Sequence, residues 1–291
     1  MRTYLDCIPC FFRQLLSAAR IANISARDQK KILDKFAQIL PDISLSSSPP
    51  EIAHIAYGIL PEISGKKDPY NRIRRKSNEI ALSFLPQLKK KIEGAKDKLL
   101  KCVELAILGN VIDFGVRDDL NLRREIKKIL NTDNYKKPIF HYSEFKRVLK
   151  KSDFILYLAD NAGETVFDRI LLEKMKNTYP QKKIYYVVKS EPIINDALLD
   201  DAYRVGINRF AYVMTNGSKA PGTIISLCSK EFKGMYKKAD MIISKGQGNF
   251  ESLSRSTKDI FFMFMVKCSV VAKHIGCNIS DLVLLYNKKR R

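Results

Sequence analysis

The sequence predicts an α/β fold: a mostly parallel sheet with helices on both faces, preceded by a helical segment. Three observations carry this. From about residue 138 short apolar runs alternate with helical patterns, as they do when a sheet is wound by crossover helices. The first third of the chain shows helical periodicity and almost no strand pattern. The clearest strand, Phe154 to Leu158, stops abruptly at Asp160-Asn161-Ala162-Gly163-Glu164, and Val166, Ile170, Leu171 and Met175 then recur at helical spacing. Asp160 and Asn161 thus sit at the carboxyl end of a strand, where open α/β sheets bind their ligands.

Taken in order, residues 5–40 read as helix from the spacing of Ile8, Phe11, Leu15, Ile32, Leu33 and Phe36. Pro41 to Pro50 is rich in serine and proline and reads as a loop. Pro49-Pro50-Glu51 opens the next helix, because proline is tolerated in a first turn. A long amphipathic helix is predicted over 71–92, and a further one from Lys96 to Leu108. Gly109-Asn110-Val111-Ile112-Asp113-Phe114-Gly115 then closes the helical part. It reads either as a glycine-capped helix end or as a loop that turns Asn110 and Asp113 towards a cleft. Further on, strands are predicted at Pro138 to Phe140, Phe154 to Leu158, Lys183 to Val188, Phe210 to Met214, Met241 to Ile243 and Leu282 to Tyr286. Helices are predicted at 164–177, 195–205, 222–236 and 258–274. The expected division is a helical domain over 1–115, forming one wall of a cleft, and an α/β domain over 116–291.

Composition narrows the function. At 291 residues, 45% hydrophobic and 29% charged, the chain suits a globular protein with a large core. No apolar run approaches the ~20 residues of a membrane span. Met1 to Cys7 lacks the apolar core of a signal peptide, so a cytoplasmic location is expected. Lysine and arginine number 52 against 31 acids, a formal +21 that invites a nucleic-acid reading. The basic residues are spread along the chain, however, and the short runs read as solvated helix faces. Six cysteines include one C-x-x-C, Cys7 and Cys10, with no second pair to complete a structural zinc site and no preceding strand for a redox motif. Both read as packed or lightly exposed on the first helix. His54, His141 and His274 show no metal-ligand spacing.

The chemistry lies in the loops that leave four of the strands: residues 160–164, 189–196, 215–223 and 244–251. In a parallel sheet these four loops share one edge. Asp160, Asn161 and Asp196 offer an oxygen-ligand set for a divalent cation. Gly246 and Gly248 would let backbone N–H groups approach an anion, with Lys245 adding a point charge. Lys245-Gly246-Gln247-Gly248-Asn249 lacks the G-K-[ST] ending of a Walker loop and is not a dinucleotide fingerprint. Pro221-Gly222-Thr223 would start a helix facing the same anion. Each has a structural alternative. Asp196 would cap a helix, Asn249 would hold a turn, Glu164 would complement a helix dipole, and Lys245 would be solvated.

Asp-Asn-Ala-Gly-Glu at 160–164, Asn-Asp-Ala at 195–197 and Lys-Gly-Gln-Gly-Asn-Phe-Glu at 245–251 resemble the motifs of the damage-control phosphatases. Gly109 to Asp113, the C-x-x-C and Lys267-Cys268 also match, so the resemblance spans almost the whole chain, and the early C-x-x-C resembles one branch of that family. It implies a Rossmann-like α/β/α sandwich with a helical N-terminal part, and a divalent ion (Mn²⁺, Ni²⁺, Co²⁺ or Mg²⁺) held by Asp160, Asn161 and Asp196. It further implies that Lys245 contacts phosphate and acts in catalysis with Asp160, and it places a basic substrate residue at Lys267. Glu164, Gly217, Gly222, Gly246, Asn249, Asn110 and Asp113 complete the expected phosphate and substrate contacts, with Asp113 or Glu164 as general acid. The expected function is metal-dependent hydrolysis of a small phosphometabolite. The alternatives are a Rossmann-like group-transfer enzyme, such as a carboxyl methyltransferase, and a basic nucleic-acid-binding protein.

Overall fold

The computed structural model describes residues 1–110 and 119–288. Asp113 and the expected boundary at 115/116 lie outside the described residues.

Helices α1 (Cys7–Ile21), α2 (Ala26–Ile39) and α3 (Pro49–Ser64) come first. Ser25 caps α2 by accepting from Asp28 N at 3.1 Å. A Ser48–Glu51 capping box starts α3 and a left-handed Gly65 ends it. These helices bury Phe11, Leu15, Phe36, Ile52, Ile59 and Tyr70 in a core of their own. The single helix expected over 71–92 is two, α4 (Asn71–Ser83) and α5 (Leu85–Glu93), parted at Phe84. Pro86 is the cause: it has no N–H to continue the ladder and fits only the first turn of a new helix. Two more helices complete this part, α6 (Lys98–Gly109) and α7 (Asp119–Asn131).

Then come β1 (Ile139–Phe140), α8 (Tyr142–Lys151), β2 (Phe154–Leu158), α9 (Glu164–Thr178) and β3 (Lys183–Val188). The chain continues through α10 (Leu199–Arg204), β4 (Tyr212–Thr215), α11 (Lys230–Lys238), β5 (Met241–Lys245) and α12 (Gln247–Leu253). It closes with β6 (Ile260–Met265), α13 (Ser269–Ile275) and β7 (Leu282–Asn287). The strand order is β1-β7-β6-β5-β2-β3-β4. From β6 to β4 the neighbours are parallel, β7 runs antiparallel to β6, and β1 is parallel to β7. The helix expected over 258–274 is therefore wrong in its first half. Ile260 to Met265 is an unbroken apolar and aromatic run, which suits a strand buried on both faces, and helix begins only at Ser269.

Strand alternation splits the core in two. Ile155, Tyr157, Ile184, Tyr186, Ile243 and Phe261 face one side, where they pack with α4 to α10. Leu156, Leu158, Val187, Ile242, Phe262 and Phe264 face the other, beneath α11, α12 and α13. The result is an α/β/α sandwich in which α4–α6 belong to one outer layer while α1–α3 stand on a separate core. Strand β2 has β3 on one side and β5 on the other, so the chain changes direction across the sheet at β2. Such a switch point opens a crevice beyond the carboxyl ends of the strands. Among the described residues no helix is long and apolar enough to cross a membrane.

Candidate active site

Backbone hydrogen bonds draw the loops after β2, β3 and β4 together at this crevice, and the Asn249 side chain ties in the loop after β5. Ala197 N donates to Asp160 O at 2.8 Å, and Ala162 N to Asn195 O at 2.9 Å. Asn161 and Asp196 form an isolated antiparallel bridge, so Asp196 lies beside the end of β2 although it is 35 residues beyond Asn161 in the chain. Ser190 N donates to Ser218 O at 3.2 Å, and the Lys189 ammonium donates to Gly222 O. Asp196 is thus held by strand pairing and does not cap α10; that helix begins at Leu199, where Asp201 accepts from Leu198 N at 2.9 Å.

Carboxylates crowd the floor. Asp160 Oδ2 accepts from Asn110 Nδ2 and Asn161 Nδ2, both at 2.9 Å. Glu164 is fully buried; its Oε1 accepts from Asn110 Nδ2 at 2.8 Å and from Asn161 Nδ2 at 2.7 Å. Asn110, 50 residues before Asp160, is fully buried and meets both carboxylates, and its Oδ1 accepts from Met265 N at 3.3 Å. Burial pushes the Asp160 carboxyl well above the ordinary carboxylate range, with Glu164 and Asp196 adding to the rise and Lys267 and Lys245 opposing it. Asp196 rises to about 6, first through burial and then through Glu164, against the Lys189 ammonium. That ammonium stands 3.6 Å from Asp196 Oδ2, an ion-pair distance too long for a hydrogen bond, and this oxygen has no hydrogen-bond partner.

A buried acceptor without a donor, beside a second carboxylate that burial drives towards neutrality, is a site short of positive charge. Among the described residues no group of three or more His, Cys, Asp or Glu side chains is gathered as a metal site. The expected set of Asp160, Asn161 and Asp196 has two carboxylates and one amide, a hard-oxygen donor set that suits a divalent ion which keeps some of its waters. The residues present fit the ion.

The glycine-rich loop departs from expectation. The Lys245 ammonium is fully buried, 2.6 Å from Asp168 Oδ1 and 3.3 Å from Glu164 Oε2. It is neither solvated nor turned to an open anion site, because β5 carries it into the sheet. Burial pulls its pKa down, but Asp168 and Glu164 outweigh that and the net shift is upward. Gly246 N donates to Met263 O at 3.0 Å and so is spent on the sheet rather than on an anion. What its missing side chain permits is the approach of Asp160: with φ at 80°, a Cβ on Gly246 would lie 2.0 Å from Asp160 Oδ2. Asn249 is a buried tie, donating to Ala159 O at 3.0 Å and Lys245 O at 2.8 Å and accepting from Thr223 Oγ1 at 2.7 Å. Gly222, with φ at 63°, sits against Ser252 and the Gly248 carbonyl, and Gly217, with φ at 72°, against Ser229. No α-helix starts at Gly222; α11 begins at Lys230, behind its Ser229 cap. Lys267 is exposed, and its charge reaches Asp160.

Three residues central to this network had no role in the sequence reading. Asp168 accepts from Tyr157 Oη at 2.7 Å and Tyr186 Oη at 2.8 Å as well as from Lys245. Its spacing of four from Glu164, on the same helix face, was the available signal. Lys189 opens a loop already singled out. Asn78 reaches across from α4, its Oδ1 accepting from Gly163 N at 2.7 Å and its Nδ2 donating to Asp201 at 2.7 Å; no local pattern announces it.

A family model described as the damage-control phosphatase ARMT1-like domain matches residues 3–283. An uncharacterized protein of Methanocaldococcus jannaschii is 36% identical over 292 residues, covering 96% of this chain and 94% of its own. A damage-control phosphatase of Pyrococcus horikoshii is 33% identical over 291 residues and covers 99% of both chains. The crystal structure of a DUF89 family protein from Pyrococcus horikoshii matches with a TM-score of 0.88 at 32% identity, covering 99% of this chain and 100% of that one.

Proposed function

The chain belongs to the damage-control phosphatase ARMT1-like domain family, and from that premise we propose that it is a metal-dependent phosphomonoesterase acting on a small phosphorylated metabolite. The observation that carries the reading is the meeting of two carboxylates, the half-buried Asp160 and the buried Asp196, at the switch point of the sheet, the second with an oxygen that has no hydrogen-bond donor. Asp160, Asn161 and Asp196 would hold a divalent ion of the Mn²⁺, Ni²⁺, Co²⁺ or Mg²⁺ kind. When bound, such an ion supplies Lewis acidity towards a phosphoryl oxygen and acidifies a water.

The chain's own residues do the rest. Asn110 and Asn161 each bridge Asp160 and Glu164, which fixes the orientation of both carboxylates. Lys245 lies beneath them, and its charge offsets Glu164 and Asp168 and so keeps the floor of the site from repelling a phosphate. Direct phosphate contact falls instead to the exposed Lys267, whose charge reaches Asp160 from the open side, and to the first turn of α9, whose dipole favours an anion beside Asp160. Glu164 is held as an acceptor by Asn110, Asn161 and Lys245, so its task is anchoring and not proton transfer.

The test is hydrolysis of p-nitrophenyl phosphate by chelator-stripped protein, with Mg²⁺, Mn²⁺, Co²⁺ and Ni²⁺ restored one at a time and Asp160→Ala beside it. Metal-dependent turnover, lost in Asp160→Ala, is expected. Turnover that is indifferent to chelation, or no turnover in folded protein with any of the four ions, overturns the reading.

A further inference from the structure

Helix α4 sends two buried side chains towards both of the loops that carry the expected ion ligands. Arg74 and Asn78 are four residues apart and so share one face of the helix. The Arg74 guanidinium donates to Asp68 through bonds of 2.9 and 2.7 Å and to the Ile194 carbonyl at 3.4 Å, and it stands 3.4 Å from Asp201 Oδ2. Asn78 donates to Asp201 Oδ1 at 2.7 Å. Its own Oδ1 accepts from Gly163 N at 2.7 Å and from Thr165 Oγ1 at 3.1 Å. Asp201 joins the two side chains, and its Oδ2 also accepts from Leu198 N at 2.9 Å.

These partners bracket the site. Ile194 is two residues before Asp196 and Asp201 is five after it, so Arg74 holds that loop on both sides of its carboxylate. Gly163 is two residues after Asn161, so Asn78 holds the other loop where it enters α9. The first of these loops needs a hold. Ile194 has a φ of 40°, a left-handed conformation costly for a β-branched residue, and strain of this kind persists only where the surroundings impose it. Here they are Arg74 at its carbonyl and the core of α1–α3 against its side chain. A guanidinium suits the task because its N–H groups point in fixed, separate directions and serve Asp68, Ile194 and Asp201 at once. The single ammonium of a lysine cannot do this.

Removing a group that orients an ion's ligands from behind typically costs about 10–100-fold in ion affinity. Resting on the reading of Asp160, Asn161 and Asp196 as ion ligands, we propose that Arg74 and Asn78 are positioning residues. They form a clamp on α4 that sets the spacing between the loop of Asp160 and Asn161 and the loop of Asp196, and through it the affinity for the ion. The loops are also joined by two backbone bonds, from Ala162 N to Asn195 O and from Ala197 N to Asp160 O. Without the clamp Ile194 relaxes to an ordinary φ, Asp196 shifts with it, and both backbone bonds open more often.

Two readouts test the clamp: Mn²⁺ affinity by calorimetry, and hydrogen exchange of the Ala162 and Ala197 amides in the chelated protein. Arg74→Met and Asn78→Ala should each bind Mn²⁺ at least about ten-fold more weakly and exchange these amides at least about ten-fold faster. Arg74→Lys keeps a charge facing Asp68 and Asp201, so it should fold even where Arg74→Met does not. It should regain most of the lost Tm while its Mn²⁺ affinity stays low, because one ammonium cannot hold both sides of the loop. Lys182→Met is the control for lost stability. Lys182 is also buried, but it ties the Lys150 and Ser152 carbonyls just before β3, at the amino ends of the strands. This variant should lower Tm and keep Mn²⁺ affinity within about two-fold. Affinity that follows Tm through all four variants, or wild-type affinity in folded Arg74→Lys and Asn78→Ala, overturns the clamp and leaves the phosphatase reading intact. If the wild type binds none of Mg²⁺, Mn²⁺, Co²⁺ and Ni²⁺, the ion reading fails by itself. The amides then decide, and wild-type exchange at Ala162 and Ala197 in Arg74→Lys and Asn78→Ala overturns the clamp.

Discussion

Replacing Gly246 by alanine isolates the closest approach in the site. The added Cβ would lie 2.0 Å from Asp160 Oδ2, 2.2 Å from its Cγ and 2.7 Å from its Oδ1. To regain an ordinary contact near 3.4 Å the carboxylate must retreat by about 1.4 Å. It cannot do so freely, because Asn110 and Asn161 hold it and Ala197 N pins its carbonyl at 2.8 Å. A misplacement of about 1 Å in a catalytic group costs on the order of 100-fold in rate. The backbone adds its own penalty: at φ 80° and ψ 156° an L-residue is strained by about 1–3 kcal/mol. Gly246→Ala should therefore lose at least about 100-fold in metal-activated p-nitrophenyl phosphate hydrolysis. Divalent-ion affinity by calorimetry should fall with it, and Tm should drop by several degrees. Gly248→Ala is the matched control. It lies in α12, where a Cβ would meet nothing nearer than 3.9 Å, and alanine is preferred to glycine in a helix by about 1 kcal/mol. It should keep or raise Tm and keep ion affinity. Wild-type ion affinity in Gly246→Ala would refute the argument, since Asp160 would then have moved without consequence or not moved at all.

Stability of the chelated protein should fall as pH rises. The folded Asp196 pKa of about 6 lies above the ordinary 3.8, so protonation favours the fold, and that contribution is lost as pH climbs through 6. At about 1.4 kcal/mol per unit the loss approaches 3 kcal/mol. Melting the apoprotein between about pH 3 and 8 measures it, since the loss falls between 3.8 and about 6, and Asp196→Asn should flatten the profile. Lys245→Met should cost about 3–5 kcal/mol in a urea titration, because Asp168 and Glu164 would be left buried without a cation; a lysine that merely touched phosphate would cost under about 1. Asn249→Ala removes three hydrogen bonds that tie β5 to the loops after β2 and β4, and a loss of about 2–4 kcal/mol in the same titration is expected.

Alternation of apolar runs with helical patterns was enough to give the layered α/β architecture, and the polar residues that end four strands were enough to mark one edge of the sheet. Both come from local rules. A buried strand must be apolar, and a parallel sheet must send its connecting loops to one edge, so periodicity in sequence becomes geometry in space. Where two local rules compete, the sequence misled: Ile260 to Met265 satisfies strand and helix alike, and only pairing with β5 and β7 made it a strand.

Tertiary structure decided what each polar group touches. Lys245, Gly246 and Asn249 read as an anion cradle by their types, yet the register of β5 turns the lysine inward to Asp168 and the asparagine onto backbone carbonyls. Asn78, Asn110 and Lys189 entered the network through contacts that span from 7 to 155 residues of chain, and no periodicity encodes those. The chemical types of the site were written locally, because each residue's chemistry is its own. Their charges and partners were not, because burial and long-range pairing exist only once the loops have been brought to one edge.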